Sequence, residues 1–296
     1  MLAFLFSAGQ ISSMKILSQM LQPESLKSFL EKNFTKLPYS STHGAKDLTH
    51  LLDWDVVDKI INSKKAVLRI VQDGKVIKDY VELSSAEAHL HHTQGHTLLV
   101  RFAEKADSRL MNLARDFSNS FHTPVDIQLY CTPEGHNAFG WHYDVEEVFI
   151  LQCEGSKAYT IRPNTWHPNP LEASIPKDLG YENEKSTTQL KVTLEKGDWL
   201  YIPSGWWHVA ATKKESMHIS VGMMPNSALD IVSFLPDYLA QIPFWRTRMP
   251  VHKPFENEND EIAFYQDALL KLGNELGKQL SSPAFIREFL RAKRKK

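Results

Sequence analysis

Three residues of this chain, His142, Asp144 and His208, have the types and spacing that suit a metal ion. His142 and Asp144 stand two apart in "GWHYDVEEVFILQCEG" (140–155), just ahead of an apolar run. On a β-strand, side chains two apart point to the same face, so this pair could grip one ion together. A His-x-Asp pair also arises by chance, and it needs support elsewhere in the chain. That support lies in "GDWLYIPSGWWHVA" (197–210), where an apolar strand ends in the turn Pro203-Ser204-Gly205 and His208 opens the next strand. In a jelly roll, strands distant in sequence pair as neighbours, which would let His208 face the His142/Asp144 pair across the barrel mouth. Alone, a histidine beside Trp206 and Trp207 reads as a packed core residue. Two histidines and a carboxylate on one side of a metal form the ligand set of non-haem Fe(II) oxygenases, which leaves positions open for a cosubstrate and O₂.

Lys157 is a fourth point of interest. It follows the turn Gly155-Ser156 and begins the apolar stretch "KAYTI". A lysine directed into a barrel needs an anion to offset its burial, and the far carboxylate of 2-oxoglutarate would serve. The plainer reading places Lys157 beside a turn in water. His218 sits on a later strand and could face the same interior, but its spacing to Ser220 does not say which side is inward. His89, His91, His92 and His96 in "HLHHTQGH" fit no regular tetrahedral pattern and have no cysteine nearby. They are expected in a solvated loop.

These residues need strands to position them. Residues 15–62 read as helices joined by loops, for example "PESLKSFLEKNF" with Leu26, Phe29 and Leu30 at helical spacing. From "KAVLRIVQDGKVIKDYVEL" the period changes to that of strands, with Asp73-Gly74 as a hairpin turn. A helix is expected over 106–121, followed by a succession of short strands, "VDIQLYCT", "EEVFILQC", "KAYTIRP", "TTQLKVTLE", "GDWLYIP", "WWHVAAT" and "MHISVGM". Strands in series without intervening helices argue for a sandwich or barrel over a parallel α/β sheet. After Pro225 the pattern is helical again, and Ile262, Tyr265, Leu269, Leu272, Leu276 and Leu280 form one apolar stripe.

With 296 residues, 42% of them hydrophobic and 10% aromatic, the chain can bury a large core. A net charge of −1 gives no basic field, so no nucleic-acid partner is expected; the terminal "RAKRKK" reads as a solvated end. No apolar stretch of about 18 residues exists, so no membrane-spanning helix is expected. The start "MLAFLFSAGQISSMK" lacks a basic leading segment, and a cytoplasmic location is expected, with Met1 or Met14 as the true start. Cys131 and Cys153, the only cysteines, lie in apolar strands and build no disulfide framework.

From about Leu21 to Pro250 the chain resembles the JmjC and cupin-like 2-oxoglutarate oxygenases, specifically the ribosomal oxygenases and their bacterial relatives. The resemblance rests on "SFLEKNFTKLP", "LYCTPEG", "HYDVEEVFILQCEGSK", "GDWLYIPSGWWHVA" and "SMHISVGM" taken together. It implies a mainly β fold with flanking helices, a double-stranded β-helix (jelly roll) spanning 15–250, and a short helical C-terminal region at 251–296. It implies that His142, Asp144 and His208 hold Fe(II), that Lys157 anchors 2-oxoglutarate and that Tyr130 hydrogen-bonds the same carboxylate. Gln128 stands where relatives have asparagine. The activity implied is hydroxylation of a protein or peptide side chain using Fe(II), 2-oxoglutarate and O₂, in a homodimer joined through the C-terminal helices; a small-molecule substrate is a further option. The remainder after Pro250 is too short for the winged-helix domain of ribosomal oxygenases, which weakens transfer of their substrate. The alternative is a non-redox cupin-like metal protein, a small-molecule binder or isomerase, which would have no need of Lys157.

Overall fold

In the computed structural model of the chain, residues 14–21, 23–166, 169–171, 187–248 and 255–294 are described. The apolar start, the boundary expected at residue 250 and the last two lysines lie outside them. The chain divides into two compact units, Met1–Pro225 and Asn226–Lys296.

The first unit is built around two antiparallel sheets. Its strands are β1 (Tyr39–Ser41), β2 (Val67–Gln72), β3 (Lys75–Val81), β4 (Thr97–Arg101), β5 (Val125–Thr132), β6 (Glu147–Glu154), β7 (Ser156–Arg162), β8 (Leu190–Glu195), β9 (Trp199–Ile202), β10 (Trp207–Thr212) and β11 (Ser216–Met223). The large sheet has the order β1-β9-β6-β11-β5-β4-β2-β3, and the small one β10-β7-β8. From β5 onward the chain passes back and forth between them, the winding of a double-stranded β-helix. The crossing from β6 to β7 turns at Gly155 with φ of +66°, where a Cβ would sit 1.6 Å from the Glu215 carbonyl oxygen, so only glycine fits.

The large sheet is covered on both faces, which explains the unbroken apolar run of β6. Val148 and Ile150 join Tyr159, Ile161, Leu200 and Ile202 between the two sheets. Phe149, Leu151, Trp199 and Tyr201 face the other way, into a core with α1 (Lys15–Met20), α2 (Pro23–Lys32), α3 (Trp54–Ser63) and α5 (Ser108–Phe121). Phe29 on α2 meets Tyr201 edge-on at 5.2 Å and Trp199 at 5.7 Å. Asp53 caps α3 by accepting from the Val56 amide at 2.8 Å. The β2–β3 hairpin turns on Asp73 and Gly74, both at positive φ as its turn type demands.

Two expectations are corrected. "HLHHTQGH" is no loop: its first five residues end helix α4 (Ser85–Thr93), which a reciprocal capping box between Ser84 and Glu87 starts. His92 is buried edge-on against Trp54, and His89 lies 3.0 Å from the Asp58 carboxylate. The other omission is β4, a central strand between β2 and β5. Four of its five residues are buried, so no alternation marked it as a strand.

In the second unit, α6 (Ala228–Leu239), α7 (Glu258–Leu280) and α8 (Pro283–Arg294) close around Leu235, Phe285 and Phe289. The stripe on α7 is split: Leu276 and Leu280 pack on this cluster, whereas Ile262, Tyr265 and Leu269 are exposed.

Candidate metal centre

The chain carries His142 and Asp144 in the loop ahead of β6, and not on the strand itself, which begins at Glu147. Main-chain bonds replace strand pairing there. His142 and His208 form an isolated antiparallel bridge, with amide-to-carbonyl distances of 3.1 and 2.8 Å. The Gly205 amide donates to the Asp144 carbonyl at 2.7 Å, and Ser204 Oγ donates to the Val145 carbonyl at 2.8 Å. The turn before β10 and the loop before β6 are therefore tied at several points. Glu147 anchors the loop's far end: its buried carboxyl accepts from Tyr201 Oη, which in turn accepts from the Thr35 amide. Burial pushes the Glu147 carboxyl up to about 7.

One ligand atom from each of His142, Asp144 and His208 lies within 4.8 Å of the others, and His208 Nε2 is 3.5 Å from Asp144 Oδ2. Among the described residues this is the only such cluster of three or more His, Cys, Asp or Glu. Each imidazole is oriented by a carbonyl: His142 Nδ1 donates to Gly140 at 2.8 Å and His208 Nδ1 to Trp206 at 2.9 Å. Carbonyls only accept, so both rings carry a proton on Nδ1, which leaves Nε2 as the nitrogen available to a metal. Burial, reinforced by His142 and opposed by Asp144, holds His208 down at about 4, so it is neutral near pH 7. Two imidazole nitrogens and a carboxylate suit a divalent first-row metal.

Lys157 is buried, 2% exposed, on β7 opposite Thr212 of β10. Its ammonium donates to Thr132 Oγ1 at 3.3 Å and lies 5.9 Å from the centre of the Tyr130 ring. No carboxylate among the described residues pairs with it, and desolvation lowers its pKa to about 7. A small cavity of about 60 Å³ is lined by Lys157, Tyr130, Tyr159, His218 and all three members of the cluster. A larger one of about 410 Å³ shares His142, Asp144 and Tyr130 with it and extends past Trp141, Arg101 and Glu146. Lys157 and the cluster line the same cavity, and a buried ammonium with no carboxylate partner among the described residues suits an anion there.

Tyr130 Oη donates to Gln128 Oε1 at 3.2 Å, and Gln128 Nε2 donates to Asp126 at 3.2 Å. The longer amide thus links the tyrosine to the wall of the larger cavity. Trp207 is core, edge-on to Tyr143 at 4.7 Å, whereas Trp141 borders the larger cavity with Arg162 4.5 Å over its ring. Tyr159 escaped the sequence reading. Its signal was its place two residues beyond Lys157, on the same face of β7.

Fold and site together define a class: a double-stranded β-helix that carries a two-histidine, one-carboxylate cluster. Residues 97–231 match the JmjC domain family model. The chain is similar to the bifunctional lysine-specific demethylase and histidyl-hydroxylase NO66 of Drosophila persimilis, 25% identical over 225 residues, covering 70% of this chain and 31% of the relative. The same-named protein of Aedes aegypti is 34% identical over 125 residues, covering 41% of this chain and 20% of the relative. The chain thus spans under half the length of these curated relatives. Among solved structures, YcfD, a ribosomal oxygenase from Escherichia coli in complex with cobalt and 2-oxoglutarate, superposes with a TM-score of 0.62 at 20% identity. That alignment covers 88% of this chain and 68% of YcfD, and establishes the shared fold.

Proposed function

We propose that this protein is an Fe(II)- and 2-oxoglutarate-dependent oxygenase that hydroxylates a side chain of a protein substrate. The reading is carried by one juxtaposition: a buried ammonium with no carboxylate partner among the described residues, in a cavity that a two-histidine, one-carboxylate cluster also lines. A non-redox metal protein has no use for that lysine. NO66 is named for demethylase and histidyl-hydroxylase activities, and YcfD was solved with 2-oxoglutarate, which supports both reaction class and protein substrate.

In this reading His142 Nε2, His208 Nε2 and an Asp144 oxygen hold the metal, and the Gly140 and Trp206 carbonyls keep the rings aimed. Lys157 Nζ takes the far carboxylate of the cosubstrate, and Tyr130 Oη can redirect its one proton from Gln128 to the same group. Bound iron and 2-oxoglutarate supply the activation of O₂ that inserts an oxygen atom into a substrate C–H bond, with succinate and CO₂ as coproducts. Val148, Ile150 and Ala210 give the inner cavity an apolar wall. The larger cavity, bordered by Trp141 and Glu146, receives the substrate side chain. Incubation with 2-oxoglutarate, Fe(II) and ascorbate is expected to yield succinate, with more when an accepted protein substrate is added. Absence of succinate from iron-loaded, folded protein would overturn the assignment.

We further infer a cytoplasmic homodimer. The first point is supported by two buried, unpaired cysteines, the second by the apolar residues α7 leaves in water, Leu269 at 60% and Leu270 at 67% exposed. Light scattering at micromolar concentration is expected to give twice the chain mass, and Leu269→Lys with Leu270→Lys to return it to a monomer. A monomeric mass for the unaltered chain would exclude the dimer.

A further inference from the structure

Glu147 opens β6 and is 5% exposed, at the head of the buried apolar run Val148–Leu151. A hydrophobic residue in its place would avoid the cost of desolvating a carboxyl, which burial already pushes up to about 7. No cation offsets that cost; what favours the charged form is the Tyr201 hydroxyl and the Ser204 main chain. Tyr201 Oη accepts from the Thr35 amide at 2.7 Å, so its single proton is directed to Glu147. The carboxyl is thus tied to β9 through Tyr201 and, one bond further, to the segment between α2 and β1.

The chain on either side of this contact carries two of the three cluster residues. Asp144 lies three residues before Glu147, and His208 four after Ser204. Three successive contacts zip the loop to the turn: the Gly205 amide donates to the Asp144 carbonyl at 2.7 Å, Ser204 Oγ donates to the Val145 carbonyl at 2.8 Å, and the Ser204 main chain meets the Glu147 carboxyl. The first two join the loop and the turn only to each other. Of the three, the contact at Glu147 alone continues into a further element, because Glu147 shares a face of β6 with Phe149, and Phe149 pairs in register with Tyr201. We propose that Glu147, through Tyr201, is a positioning residue for the metal centre: it fixes the loop 144–147 and the turn 203–205 as one block against β9, and so sets the geometry in which Asp144 and His208 meet the metal. This rests on the ligand assignment above. Glu147 lines neither cavity and takes no part in the chemistry.

Titration of the metal-free protein with Co(II), followed by its visible d–d bands, reads affinity and coordination geometry without turnover. Glu147→Leu removes the acceptor, and Tyr201→Phe removes the donor while keeping the packed ring. Each is expected to weaken Co(II) binding about 10-fold and to shift the bands of the metal-saturated protein. Glu147→Gln keeps an oxygen for the Tyr201 hydroxyl and is expected to bring affinity back to within about threefold and the bands to their original positions. A role confined to stability would lower the melting temperature of the variants and leave affinity and bands unaltered below it, and that result overturns the proposal. So does a Glu147→Gln protein as impaired as Glu147→Leu, since the bond to Tyr201 would then not be what counts. Tyr201→Phe decides the matter should Glu147→Leu not fold. If the unaltered protein does not bind Co(II), or His208→Ala binds it equally well, the ligand assignment falls and the proposal with it. Loss of binding in His208→Ala beside unaltered binding and bands in the Glu147 and Tyr201 variants overturns the proposal alone.

Discussion

Replacing His142, Asp144 or His208 by alanine is expected to lower Fe(II) affinity by more than about 100-fold and to abolish succinate formation. Groups that merely orient metal ligands are worth about 10- to 100-fold in affinity, so losing a ligand itself costs more. The fold should survive. His142 and Asp144 are partly exposed at the barrel mouth, and the bonds that tie the two ligand loops run through main-chain atoms or Ser204, which these substitutions leave in place. Equilibrium dialysis against Fe(II), alongside circular dichroism, separates loss of metal from loss of structure. Iron affinity equal to that of the unaltered protein in any one variant would remove that residue from the ligand set.

Lys157→Ala is expected to weaken 2-oxoglutarate binding about 10- to 100-fold with Fe(II) affinity little changed, because a charge-assisted hydrogen bond is worth ~1.5–3 kcal/mol. Lys157→Arg should recover part of it. The same residue gives the binding a pH dependence of defined sign. Desolvation lowers the Lys157 ammonium to about 7, and the carboxylate needs the charged form. Affinity should therefore be flat below pH 7 and fall up to about tenfold per unit above it, with one proton taken up on binding. In Lys157→Ala this slope should vanish. An unaltered slope in the variant would assign the titration to another group, and unaltered affinity would place the cosubstrate elsewhere.

Much of this architecture was legible in the chain because strands announce themselves by period and turns by glycine. The Asp73-Gly74 hairpin, the Gly155-Ser156 crossing and the strands from β5 to β11 were readable in that way. The types and spacing of His142, Asp144 and His208 likewise pointed to one metal-binding cluster, and the structure brings the three together. Local pattern misled where burial was complete or a cap outweighed composition. The run "TLLVR" is buried almost throughout and shows no alternation, and the polar "HLHHT" is helical because Ser84 and Glu87 cap it against Trp54 and Asp58.

By itself, then, the sequence determined the kind of fold and the donor atoms available for a metal and an anion, since both depend on residue type and short-range period. Only the tertiary structure decided which way His218 faces and that its Nδ1 and Tyr159 Oη lack a hydrogen-bond partner among the described residues. The physical reason is in β11 itself. "SMHISVGM" is buried on nearly every residue, with β5 on one side and β6 on the other, so no polar alternation along it marks an inward face. Its orientation is set by registers with strands some 60 to 90 residues away, Tyr130 and Gln152 opposite His218, and such distant pairings leave no trace in the strand's own composition.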